Sequence, residues 1–298
     1  MSKKQTDRGF VVVTGTSTGI GAVTALHLAG KGFHVFAGVR CEADGEALQS
    51  QSPARLTSLI IDVTDAKTIL AAAAAVTDAV GDRGLAGLIN NAGIAKPAPI
   101  ELQPMADFRE QLEVNLFGPV AMVQAFLPLI RAGGGRIVNV GSIGGLLVLP
   151  LNGAYSASKF GIRAVTDALR LELRQWKIHV SLIEVAPVAT AIFGKTYAEL
   201  DALEEKLGET GYRLYAEQIA AVRTATEKAA ASADPALVIG KAIAEALTSD
   251  KPKPRYLVGH GGTQVAVVAA LPDRARDKAL ARELGLHKPA QHERGGGE

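Results

Sequence analysis

The chain has 298 residues, 48% of them hydrophobic and 21% charged, enough to build one large α/β domain around a substantial core. A formal charge of +2 and an aromatic share of 5%, with no basic run interleaved with aromatics, argue against nucleic acid or an anionic membrane surface as partner. The single cysteine, Cys41, permits neither an intrachain disulfide nor a thiolate metal cluster.

Met1–Gly9 is polar and lacks the apolar core of a signal peptide, and no apolar run reaches spanning length. The expectation is a cytoplasmic protein with no membrane span. Phe10–Val13, Phe33–Val39, Leu56–Ile61, Leu85–Ile89, Arg136–Val140 and His179–Val185 are rich in Val and Ile and nearly continuously apolar. They read as strands covered on both faces. Between them, Ile20–Ala29, Asp65–Val80, Asp107–Ile130 and Tyr155–Trp176 carry helical spacing or Ala-rich composition. Strand and helix alternate without a linker, which predicts a parallel sheet with right-handed crossovers in one domain over residues 1–288.

From Thr190 to Ala231 the strand signal stops, and charged residues mix with Ala, Leu and Tyr at helical spacing. This predicts a helical excursion, or lid, over the sheet. Asp234–Ser249 reads as another helix, with Asp234 as its cap and Pro235 at its first position. Tyr256–Val258 reads as a last strand, and the tail from Pro289 as disordered.

Immediately after the first strand, Thr14-Gly15-Thr16-Ser17-Thr18-Gly19-Ile20-Gly21 opens the first helix. Glycines let the backbone turn tightly and approach a pyrophosphate, and the helix N-terminus supplies N–H donors and partial positive charge. The hydroxyls of Ser17 and Thr18 add donors. The second strand ends Gly38-Val39-Arg40, where NAD-preferring folds usually place a carboxylate for the ribose hydroxyl. A guanidinium there suits a 2′-phosphate, so NADP(H) is favoured over NAD(H). Asp62-Val63 follows the third strand, where Asp62 either meets an adenine amino group or, like Asp65, caps a helix.

At Asn90-Asn91-Ala92-Gly93 and Tyr155-Ser156-Ala157-Ser158-Lys159 the chain, taken with the glycine turn, resembles the short-chain dehydrogenase/reductase family from Phe10 to Thr190. The resemblance implies a Rossmann-type doubly wound parallel sheet of about seven strands, a nicotinamide cofactor and a hydroxyl/carbonyl interconversion. It makes Tyr155 the acid/base, Lys159 its cofactor-binding and pKa-lowering partner, Ser142 the substrate-orienting hydroxyl and Asn115 a positioning amide. Asn91, Ala92 and Gly93 would line the cofactor, with Val188 and Thr190 at its nicotinamide end. One departure stands out: Val185-Ala186 occupies the place of a Pro-Gly pair, which restricts the backbone wherever positive φ is needed.

A free tyrosine has a pKa of about 10, so lowering it by two to three units takes roughly 3–4 kcal/mol of differential stabilisation. Tyr155 and Lys159 are four apart on an expected helix and project from one face, which lets an ammonium supply much of this. Ser142 follows Arg136–Val140 at the sheet's carboxyl edge, where ligands bind. Leu146–Leu151, with Tyr197, Leu200, Leu203 and Leu207 of the excursion, would give an apolar floor and lid for a lipophilic substrate; alternatively these residues only pack against one another. Pro254–Gly259 and Leu271–Arg274 resemble the 17β-hydroxysteroid and retinol dehydrogenase branch.

The leading expectation is therefore an NADP(H)-linked enzyme acting on a small-molecule carbonyl/alcohol pair. A non-catalytic dinucleotide sensor, and an epimerase or lyase using the same tyrosine, are the competing readings. Family resemblance further implies a homodimer or homotetramer paired through Asp107–Ile130 and Tyr155–Trp176.

Overall fold

The computed structural model describes residues 7–190 and 192–286. Its first half runs β1 (Phe10–Val13), α1 (Gly19–Gly30), β2 (His34–Val39), α2 (Glu42–Gln49), β3 (Leu56–Ile60) and α3 (Ala66–Val80). There follow β4 (Gly87–Asn90), α4 (Met105–Leu112), a π-helical turn at Glu113–Phe117, α5 (Gly118–Gly133), β5 (Arg136–Val140), α6 (Gly153–Glu172) and β6 (Val180–Val185). The rest is β7 (Val188–Ala189), α7 (Ile192–Asp201), α8 (Leu203–Leu214), α9 (Ala216–Ala231), β8 (Asp234–Pro235), α10 (Leu237–Thr248), β9 (Arg255–Val258), α11 (Gly262–Ala269) and α12 (Asp273–Glu283).

Seven parallel strands form one sheet in the order β3-β2-β1-β4-β5-β6-β9. Because β1 pairs with both β2 and β4, the chain reverses its direction of winding there, and a crevice opens at the carboxyl ends of β1 and β4. Alternation along each strand feeds two cores. Val11 and Val13 pack on one face with Leu28, Ile239, Ile243 and Leu247, while Val12 packs on the other with Val76, Met122, Phe126 and Ile130. Both faces are covered, which is why the strand sequences are almost wholly apolar.

The helical stretch Met105–Gly133 is long and apolar enough, by length and composition, to cross a membrane. Its Met122, Val123, Phe126 and Ile130 are nevertheless buried in the core against the sheet. Nor is Asp107–Ile130 one regular helix, as its composition implied, because the π turn interrupts it at Asn115. Such turns recur at functional sites, where they re-aim side chains.

Two further expectations are corrected. Asp234 and Pro235 do not begin a helix: they pair in parallel with Val188 and Ala189 and close the base of the excursion. The helix that follows starts at Leu237, with Ala236 at its cap position and no side-chain cap. Within the excursion, Leu200, Leu203, Ile219 and Val222 bury one another together with Ala98 and Leu151. Those leucines thus form a small core of their own. Of the two capping alternatives after β3, Asp65 is the one that starts α3, accepting from the Lys67 amide at 2.9 Å. The expectation for the tail from Pro289 falls outside the described residues.

Candidate active site

The glycine turn is built as a cradle. Gly15 and Gly19 have φ of +66° and +61°, which glycine adopts without penalty. A Cβ on Gly21 would lie 2.1 Å from the Gly15 carbonyl oxygen, and one on Gly15 would lie 2.8 Å from Ala92 Cα. Asn91 fastens the two crossover turns together: its Nδ2 donates to the carbonyls of Thr14 at 2.9 Å and Gly15 at 3.1 Å. The Thr14 hydroxyl in turn accepts from the amides of Asn91 and Ala92.

At the mouth of α1, Thr18 makes no side-chain cap and no acidic residue lies in the first turn. The first N–H groups are left for an outside anion. Ser17 and Thr18 are exposed beside them, and Thr190 lies over Gly19. Arg40, at the end of β2, is exposed and pairs with no carboxylate among the described residues. Asp62 Oδ1 accepts from the amide and hydroxyl of Thr64 at 2.9 and 2.7 Å, and buried Val63 packs against Gly118. These residues fit a dinucleotide: a cradle that any Cβ would fill, an open helix end and a free guanidinium at the ribose position.

A cleft of about 1040 Å³ continues from this crevice. Ser142, Tyr155 and Lys159 line it, with Ile20, Asn91, Gly93, Val188 and Thr190 at its cofactor end. The Ser142 hydroxyl accepts from the Gly144 amide at 3.0 Å and faces the same cleft as Tyr155. Gly144 presses against the Tyr155 ring, where a Cβ would come within 2.9 Å of it. Lys159 Nζ donates to the Val140 carbonyl at 3.2 Å and sits 5.7 Å from the centre of the Tyr155 ring.

Asn115 stands behind these groups and does not line the cleft. Its Oδ1 accepts from the Ile94 amide at 2.8 Å, and its Nδ2 donates to the Ile94 carbonyl at 2.8 Å and to Ser158 Oγ at 3.0 Å.

Burial governs the charges. It pulls Lys159 down to about 8. Tyr155 keeps partial access to the cleft, yet protein atoms crowd its hydroxyl and raise its pKa, an effect that the neighbouring Ser142 partly offsets. The lowered tyrosine expected from the Tyr-Lys spacing is therefore not met in the chain alone. The same desolvation that would make a nearby ammonium effective also weakens that ammonium.

The Val185-Ala186 departure costs nothing in backbone strain, because Ala186 is not among the positive-φ residues and its amide donates to Val258 at 2.8 Å. Leu147 and Leu149 line the cleft as expected, while Leu151 belongs to the excursion's core. Phe193, Thr224, Val265, Leu280 and Leu284 line it without having been singled out from sequence. The i, i+4 spacing of Leu280 and Leu284 was the available signal for the last two.

A doubly wound sheet carrying a phosphate cradle at its switch point, with a serine, a tyrosine and a lysine converging next to it, defines a dinucleotide-binding oxidoreductase. The family model described as short chain dehydrogenase matches residues 9–201. The chain is 33% identical over 283 residues to an NADPH-dependent 3-dehydrocapnine reductase from Ornithobacterium rhinotracheale, covering 92% of this chain and 97% of that protein. It is 36% identical over 259 residues to retinol dehydrogenase 7 of Rattus norvegicus, covering 84% and 80%. A crystal structure of a short chain dehydrogenase from Burkholderia cenocepacia in complex with NADP superposes with a TM-score of 0.69 at 26% identity, covering 95% of this chain and 99% of that one. The chain belongs to the short-chain dehydrogenase/reductase family, in its retinol dehydrogenase-like branch.

Proposed function

We propose that this protein interconverts a lipophilic carbonyl and its alcohol with NADP(H), using Tyr155 as acid/base. The observation that carries this reading is the convergence of Ser142, Tyr155 and Lys159 on one cleft next to the phosphate cradle. The nicotinamide of a dinucleotide whose phosphates the cradle holds would supply or accept the hydride. The chain's own residues then manage one proton. Tyr155 hands its hydroxyl proton to the carbonyl oxygen as that oxygen gains charge, and Ser142 holds the same oxygen by a hydrogen bond. Lys159 holds ribose hydroxyls and, while protonated, favours the phenolate that remains.

Cofactor choice rests on Arg40, and it is in keeping with the NADPH-dependence of one relative and the NADP bound to one structural neighbour. A lipophilic substrate suits a cleft walled by Ile94, Leu147, Leu149, Phe193 and Leu280. The working form is a homodimer or homotetramer paired through the long helices α5 and α6.

Consumption of NADPH with decanal and acetophenone tests the reaction. Tyr155→Phe should reduce turnover by at least about a thousandfold while NADPH binds within twofold of wild type. A variant that keeps most of its activity would sink the acid/base assignment. Arg40→Asp should weaken NADPH at least about tenfold and spare or improve NADH. Equal losses for the two cofactors in calorimetric titration would remove Arg40 from 2′-phosphate recognition.

A further inference from the structure

One wall of the cleft has no strand to hold it. Gly93, Ile94, Ala95 and Pro97 line the cavity from a segment without regular secondary structure that pairs with no β-strand. Backbone groups in such a segment need other partners. Two amide side chains provide them. Asn115 takes both backbone groups of Ile94, accepting from its N–H and donating to its C=O. Gln111 does the same to Lys96: Oε1 accepts from the N–H at 2.9 Å and Nε2 donates to the C=O at 3.2 Å.

Gln111 stands in the last turn of α4 and Asn115 in the π turn that continues it, so the two amides follow one another along one helical stretch and pair with alternate residues of the segment, Lys96 and Ile94. This is a ladder in which side chains take the part of a neighbouring strand. Gln111 is fully buried, at 0% exposure, and has little else to bond. Gln103 Nε2 adds a further donor to the Lys96 carbonyl at 2.9 Å, and Lys96 Nζ is held by Asp107 at 2.8 Å and Glu110 at 2.6 Å.

We propose that Gln111 is a positioning residue for the reaction: with Asn115 it fixes Ile94–Pro97 as the rigid wall against which the substrate is placed. This deepens, and rests on, the reading of the same cleft as a carbonyl/alcohol site. Gln111 touches neither cofactor nor substrate and acts through the segment. Asn91, at the cofactor side, is fastened separately to Thr14 and Gly15, so the effect should fall on substrate and not on NADPH.

Gln111→Met keeps the side chain's shape and removes both bonds; Gln111→Glu keeps the acceptor for the Lys96 N–H and loses the donor. For the methionine variant of the full chain, amide exchange over residues 94–98 should accelerate about tenfold or more. KM for decanal should rise about fivefold, with kcat per active site and NADPH affinity within twofold. The glutamate variant should fall between it and wild type on both readouts, and it decides the matter if the methionine variant does not fold. A role in stability alone would lower the melting temperature and the active fraction while leaving KM in place, and that result overturns the inference. So does unchanged exchange at 94–98, or faster exchange with an unchanged KM. If the wild-type chain turns over no carbonyl, the proposed function fails instead, and exchange at 94–98 then decides the positioning role by itself.

Discussion

Lys159 puts a charge where the fold resists one. No carboxylate pairs with it among the described residues; its ammonium donates to the Val140 carbonyl, and burial brings its pKa to about 8. It is then roughly nine-tenths protonated at pH 7 and roughly one-tenth at pH 9. If the ammonium holds the cofactor's ribose, NADPH affinity should be level between pH 7 and about 8 and fall above it, approaching about tenfold per pH unit. The sign follows from which form binds: the charged one is lost as pH rises through the free protein's pKa. Fluorescence titration with NADPH from pH 7 to 10 reads this directly, and Lys159→Met should give a weak but level profile. A level profile in the wild type would mean that the ammonium contributes nothing to cofactor affinity. At this scale Tyr155, Lys159 and Ser142 were legible because their spacing is local and their chemistry specific. Gln111 was not, since an amide on a helix acquires meaning only once the segment it pairs with is in place.

At the scale of single elements, the phosphate turn depends on two glycines for different reasons. Gly15 needs its positive φ, whereas Gly21 needs empty space, with the Gly15 carbonyl and Asn91 Nδ2 at 2.1 and 2.6 Å from where a Cβ would stand. Gly21→Ala must push the turn off Asn91, so NADPH affinity should drop at least about tenfold even if the fold survives with a lower melting temperature. Gly30→Ala serves as the control on the same helix. A Cβ there meets nothing within 4 Å, and the residue is not at positive φ. It should be neutral or stabilising by up to about 1 kcal/mol. Equal effects of both alanines in calorimetry and thermal unfolding would show that space at Gly21 is not the issue.

The strands and the long helices of the sheet were legible for a similar local reason: each carries its own period. The parallel pairing of Val188–Ala189 with Asp234–Pro235 was not, because two-residue strands carry no period and their partners are distant in the chain. Proline after aspartate read as a helix start on local grounds, and tertiary pairing overrode it. The helices α11 and α12 escaped for the opposite reason. One is short and mostly apolar, the other mostly charged, and neither shows a clear two-sided pattern.

Taken as a whole, the molecule leaves one helix serving two surfaces. Helix α6 turns Tyr155, Lys159, Ile162 and Thr166 inward, toward the cleft and the sheet. On its other side Ala157, Phe160, Ala164, Ala168 and Leu171 recur at helical spacing and are all exposed, Phe160 at 42% and Leu171 at 70%. An apolar stripe of this length on solvent is costly unless a partner covers it. In the homodimer or homotetramer proposed above a second copy would cover it, because a two-fold axis can set the same stripe against itself. Sedimentation velocity should then give twice or four times the mass of one chain. The double substitution Phe160→Lys with Leu171→Lys places like charges across that axis and should yield the single chain. NADPH binding should survive in the substituted protein, since both changes lie on the stripe turned away from Lys159. Turnover should fall all the same, because α6 would lose the support that holds Tyr155 and Lys159 at a fixed height above the sheet. A wild-type chain that sediments as a monomer, or a substituted one that keeps the larger mass, would detach the α6 stripe from assembly and leave its exposure without that cause.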